Sequence, residues 1–343
     1  MTEPSPSAVQ TVADQPNIVV RATEPPPPRS RQPAKKPRLI ALMNQKGGVG
    51  KTTTAVNLGA ALTTMGSRVL LIDLDPQAHL TLHMGLDPAS LDNTVYDLMT
   101  RDEVTAGDIV RHVNDKLSVL PAEMNLAGVE TELAPKMATG SAQQILKDKC
   151  TMLLSPTSGA QNPTSESEQA QAGDDSQTPD SGPRTFDSGL RPFDYVFIDC
   201  PPSLGLLTIN SLTLANEVIV PMQAHFLALQ GLSRLLETVT LIRRSFNPQL
   251  SVSAMLLCMY EGQTILANEV ITDLTAFLDA SRAMDVPWRD ATILQPPVRR
   301  NIKLAESPSF GKTIFDYAPD CHGAEDYKAL AQALMGQQVT RRS

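Results

Sequence analysis

Long apolar runs are missing from this chain: no stretch approaches the roughly 20 residues needed to span a bilayer, and the proline-rich N-terminal residues hold no apolar signal core. A soluble, non-exported protein is expected. Cysteine is scarce as well. Cys150, Cys200, Cys258 and Cys321 lie far apart with no C-x-x-C pair, which excludes a disulfide framework, suggests no zinc site and suits a reducing cytosol. His79, His83, His112, His225 and His322 show no ligand spacing and read as structural or surface residues. Positive charge is in the minority. With 29 Lys and Arg against 37 Asp and Glu, the net charge of -8 argues against a generally basic coat for nucleic acid, although local patches can still bind phosphates.

What remains is ample. The 343 residues, 41% of them hydrophobic, can bury the core of one large domain and are enough for an enzyme. Two segments stand outside such a core by composition. Residues 1–37, with Pro25-Pro26-Pro27-Pro28, read as a disordered or polyproline II tail. Its basic end (Arg29, Arg31, Lys35, Lys36 and Arg38) serves either as extra contact to an anionic polymer or as a solubilising leader. Residues 155–192, rich in Ser, Thr, Gln, Gly, Pro and Asp, read as a disordered acidic insertion within a domain spanning 38–336, and 337–343 as a C-terminal tail.

The centre of the chemistry is Asn44-Gln45-Lys46-Gly47-Gly48-Val49-Gly50-Lys51-Thr52-Thr53, between an apolar run, Leu39 to Met43, and a helix-like segment, Thr54 to Thr64. Strand, glycine-rich loop and helix together present backbone N–H groups and a positive helix end to one point, which suits a polyphosphate. Lys51 would reach the outer phosphates and Thr52 would place its hydroxyl on Mg2+. Two further apolar runs end in carboxylates: Arg68 to Asp73, followed by Asp75, and Phe193 to Asp199, a Walker B candidate. Further along, strand-like and helix-like segments keep alternating, so the expected fold is α/β, a mostly parallel twisted sheet flanked by helices on both faces.

The loop lacks the first glycine of the standard phosphate-loop pattern, because Gln45 occupies that place, and it carries a second lysine, Lys46. In this it resembles the deviant Walker A loop of the ParA/MinD family of P-loop NTPases. Val69 to Gln77, Asp194 to Leu207, Pro221 to Leu236, Met259 to Val270 and Arg300 to Tyr317 are similar to further blocks of the chromosomal ParA (Soj) branch, so the resemblance runs from about Arg38 to Met335. It implies an ATPase, slow and partner-stimulated, that takes ATP and Mg2+ and forms an ATP-dependent homodimer. It further implies non-specific DNA binding and release by a ParB-like centromere-binding protein, in the cytoplasm and at the nucleoid. Carried over residue by residue, Lys46, Lys51 and Asp75 are the catalytic residues, with Lys46 reaching the partner subunit's nucleotide and Asp75 positioning the attacking water. Lys46, Gly47, Gly48, Val49, Gly50, Lys51, Thr52 and Thr53 bind the nucleotide; Thr52 ligates magnesium, which Asp73 and Asp199 organise through water. Arg299, Arg300 and Lys303 match a DNA-contacting neighbourhood, where a solvated charged face is the competing reading.

Gln263 and Lys303 depart from arginines common in the family, and glutamine cannot pair with a phosphate as a cation. A membrane-cycling relative would carry a terminal basic amphipathic helix, of which Ala329 to Ser343 offers only a weak version, so no stable membrane association is expected. An iron–sulfur reductase would need paired cysteines where only Cys200 stands. The alternative from another class is an ATP-binding scaffold that positions a protein cargo with little hydrolysis.

Overall fold

The structure, a computed structural model, describes residues 36–154, 193–225, 228–262 and 264–340. Most of the proline-rich tail, the 155–192 insertion, Gln263 and the last three residues lie outside the described residues. The strands are β1 (Arg38–Leu42), β2 (Val69–Asp73), β3 (Arg111–His112), β4 (Leu117–Leu120), β5 (Tyr195–Asp199), β6 (Glu217–Met222), β7 (Ser251–Leu257) and β8 (Thr292–Leu294). They form one sheet in the order β3-β4-β2-β5-β1-β6-β7-β8, parallel throughout except for β3 against β4. Parallel strands joined by helical crossovers are covered on both faces, which is why β2, β5 and β6 are buried at every position and read as unbroken apolar runs.

Alternate side chains serve alternate faces. Ile40, Leu42, Leu71 and Phe197 pack against the loop helix Lys51–Thr64 and the C-terminal helix His322–Thr340. Ala41, Ile72, Val196 and Ile198 belong to the opposite core, with helices Ile145–Leu154, Leu206–Leu214, Ala228–Ser245 and Ile265–Ser281. The last helix therefore runs past the boundary drawn at residue 336. A short helix, His79–His83, follows β2 and leads to Gly85, where the chain touches Gly311: a Cβ at Gly311 would lie 2.8 Å from the Gly85 Cα, and both residues have positive φ.

Two features of this frame set the site. The C-terminal ends of β1, β2 and β5 stand level, since Leu42 pairs with Asp199 and Asp73 with Asp199. At the other end, Arg38 is not part of an exposed basic run: its guanidinium makes a two-pronged ion pair with Glu217 (Nε–Oε1 2.7 Å, Nη2–Oε2 2.6 Å) and donates to Leu334 O. That corrects its placement with the basic tail, because the fork is held between β1, β6 and the C-terminal helix and is nearly buried.

Candidate functional site

The loop after β1 is built from backbone rather than from side-chain bulk. Gly48 and Gly50 have φ of 70° and 93°, a region costly for residues with a Cβ, and nothing lies within 4 Å of a Cβ placed at Gly47 or Gly48. Gly50 also caps the loop helix without any side-chain hydrogen bond, and the first turn holds no acid, so the positive helix end is left for an anion. Asn44 pins the entrance, donating to Pro221 O at 2.7 Å and accepting from Lys46 N at 3.0 Å. Gln223 donates to Gly48 O at 3.2 Å. Lys51 is buried and rests on Lys46 O at 3.3 Å, whereas Lys46 is exposed and its ammonium touches His225 Nε2. His225 thus belongs to the loop's surroundings, which its isolated position in the chain did not reveal.

The carboxylates sit on the adjoining floor. Thr52 donates to Asp199 Oδ2 at 2.6 Å, while Asp199 Oδ1 is buried with no hydrogen-bond partner. Burial, reinforced by the Asp73 charge, holds Asp199 well above the usual carboxylate range, against the pull of the Thr52 hydroxyl and the Lys51 ammonium. Asp73 is pushed up to about 6, chiefly by burial, although Thr81 and the Asp75 backbone donate to it. Asp75 is half-buried, and its side chain accepts from Gln77 N at 3.0 Å. Two crowded carboxylates and an orphaned oxygen beside a threonine hydroxyl fit Mg2+, whose charge would keep both acids ionised. Thr52 would ligate it, and Asp73 and Asp199 would act on its water shell.

Beside the loop lies a cavity of about 410 Å³ lined by Gly50, Thr53, Cys258, Met259, Arg300 and Tyr327 among others, of a size for a nucleoside. Segment 298–300 closes it by continuing the sheet edge, with Val298 N bonded to Leu257 O and Tyr260 N to Val298 O. Among the described residues only Ala78 and Met259 are non-glycine residues with positive φ, and they stand beside the carboxylates and this cavity respectively.

A family model described as an AAA domain matches residues 37–155 and 184–252. The sporulation initiation inhibitor protein Soj of Bacillus subtilis is 38% identical over 298 residues, covering 87% of this chain and 98% of that protein. The chromosome partitioning protein ParA of Caulobacter vibrioides is 33% identical over 306 residues, 89% of this chain and 97% of that protein. The chain belongs to the ParA/Soj family of ATPases. In structure it is similar to cobyrinic acid a,c-diamide synthase from Mycobacterium smegmatis with bound ADP and magnesium: TM-score 0.62, 32% identity, 87% of this chain and 94% of that one.

Each of the three basic residues around the start of helix Ile302–Glu306 has an acidic neighbour. Arg299 is clamped to the buried Asp326, at 2.6 Å from Nη2 and 3.0 Å from Nε, with Glu325 at 3.1 Å. Arg300 reaches Glu261 at 3.1 Å, and Lys303 reaches Glu306 at 2.9 Å with its ammonium over the Tyr317 ring. Arg300 stays largely exposed, at 71% of its side chain, so its pair is weak and open to exchange.

Proposed function

We propose that the chain is a partitioning ATPase that dimerises on ATP, binds DNA without sequence preference in that state, and is released when a ParB-like partner stimulates slow hydrolysis. The observation that supports it most is the meeting, at one sheet edge, of a two-lysine glycine loop with Asp73, Asp75 and Asp199. Mg2+, when bound with ATP, supplies charge neutralisation at the phosphates. The chain's own part is positioning. Lys51 and the loop N–H groups hold the outer phosphates, and half-buried Asp75 orients the attacking water. Exposed Lys46 is free to leave His225 for the nucleotide of a second copy, where its charge would act as an arginine finger does. Arg300 and Lys303 meet DNA phosphates; Arg299 supports them from its clamp on Asp326.

One assay tests the reading: DNA retention and phosphate release measured together, with ATP or ADP and with or without a ParB N-terminal peptide. Wild type should retain DNA only with ATP and lose it as salt rises. Asp75→Ala should keep nucleotide and DNA while turnover falls by about 100-fold, and Lys46→Ala should lose dimer-dependent turnover while keeping most nucleotide affinity. Nucleotide-independent DNA retention, or none, would sink the partition reading.

A further inference from the structure

We propose that Thr81 is the positioning residue for Asp73, fixing which oxygen of that carboxylate is left to act on the water around the nucleotide's metal. The proposal rests on the ATPase reading above and adds a residue to it. Thr81 lies in the short helix after β2 and is fully buried. Its backbone N–H and its hydroxyl both donate to the same atom, Asp73 Oδ2, at 2.9 Å and 2.7 Å. The hydroxyl oxygen in turn accepts from Ala122 N at 2.9 Å. A hydroxyl has one hydrogen, and Ala122 brings its own, so the Thr81 hydrogen is directed onto Asp73.

Counting acceptor sites then shows what remains. Each carboxylate oxygen offers about two. Both on Oδ2 are taken by Thr81, and one on Oδ1 is taken by Asp75 N at 3.1 Å. The free capacity of Asp73 therefore sits on Oδ1, the oxygen tied to the backbone of Asp75. On the neighbouring strand Asp199 shows the same division: Oδ2 is engaged by Thr52, and Oδ1 has no donor. Each acid is oriented by one threonine through Oδ2 and keeps Oδ1 in reserve. Thr81 does this across non-local structure, since Ala122 follows β4 and Asp73 ends β2. One hydroxyl ties two strand ends and a helix to the orientation of one carboxylate.

The test compares full-length Thr81→Val, which keeps the shape and removes the hydroxyl, with Thr81→Ser, which keeps the hydroxyl, and with Thr81→Cys, a weak donor of similar size. The readouts are kcat and KM for ATP, the Mg2+ concentration for half-maximal turnover, the affinity for a fluorescent ATP analogue, and thermal melting. Thr81→Val should lower kcat by about 10- to 100-fold and raise the Mg2+ requirement about 10-fold, with KM and analogue affinity within about 2-fold of wild type. Thr81→Ser should stay within about 3-fold of wild type, and Thr81→Cys should fall between the two. If Thr81→Val does not fold, the serine and cysteine variants decide: equal turnover in both overturns the proposal. So does a folded Thr81→Val that turns over like wild type, a serine variant as impaired as valine, or a loss in which kcat falls and KM rises together. A wild type without hydrolysis overturns the ATPase reading itself, and the Thr81 role with it; a hydrolysing wild type matched by Thr81→Val overturns the Thr81 role alone.

Discussion

The floor of the site and its rim treat charge in opposite ways. On the floor, Lys51 is buried without an ion pair among the described residues, Asp199 keeps an oxygen with no donor, and Asp73 is held up near 6 by burial. On the rim, Arg299, Arg300 and Lys303 each already have an acidic partner. Uncompensated buried charge is costly, so the floor is poised for a ligand that brings both phosphate and cation. The rim is satisfied as it stands, and a polyanion must win its cations from Glu261 and Glu306. Nucleotide is therefore expected to change the floor's stability strongly, and DNA the rim's stability little.

The sharpest way to break this contrast is Lys51→Ala. It should abolish measurable nucleotide affinity and lower turnover by at least about 100-fold, read by fluorescent-analogue titration and phosphate release. Next comes pH, through His83, which joins floor to rim by lying 3.1 Å from Lys312 O and 3.4 Å from the Ser307 hydroxyl. Burial lowers the His83 pKa to about 4, against the Lys312 carbonyl, which raises it. Below the ordinary value of 6.5 the unfolded chain takes a proton that the native ring refuses, so stability falls as pH drops from 6.5 towards 4, by about 3 kcal/mol in all. Asp73 acts in the opposite sense. Raised to about 6, it takes a proton in the native state that the unfolded chain releases down to 3.8, so acid relieves its burden. Urea midpoints of wild type and His83→Gln across pH 4 to 7 isolate the histidine's share: the raised Asp73 and Asp199 offset it equally in both proteins, so the variant should gain on wild type as pH falls from 6.5 towards 4, and parallel curves would remove His83 from the account. Arg299→Ala should cost about 2 kcal/mol in urea denaturation, because Asp326 is left buried without its ion pair, holding only the residue 299 backbone N–H. The smallest effects belong to Arg300→Ala and Lys303→Ala. Each should weaken DNA retention a few-fold and reduce the salt slope by about 1, with stability within about 0.5 kcal/mol of wild type.

Legibility in the sequence follows the same divide. Strands covered on both faces are continuous apolar runs, so β1, β2, β5 and β6 could be read nearly to the residue, and their terminal Asp73 and Asp199 with them. The glycine loop was legible because its conformation demands particular residues at adjacent positions. Strand β8 is three residues long, helix His79–His83 barely exceeds one turn, and neither carries a periodic pattern. Thr81 was hidden for that reason, and because its bond to Asp73 depends on a chain reversal. The acids opposite Arg299, Arg300 and Lys303 include Glu261 and Asp326, distant in sequence, and Arg38 was grouped by nearness in the chain although its partner is Glu217. Spacing reports neighbours along an element; it carries little about pairs that tertiary folding brings together.

The contact between Gly85 and Gly311 has a consequence for how this chain can vary. A methyl group at residue 311 would press against Gly85 Cα and N, and one at residue 85 would meet Gly311 O at 3.2 Å, while both backbones are left-handed. The two positions are thus constrained as a pair, one beyond the carboxylate helix and the other beyond the basic rim. A Gly311→Ala variant selected for recovered growth or recovered folding should collect its compensating changes around 82–85, far along the chain and yet next door, rather than in the nucleotide loop.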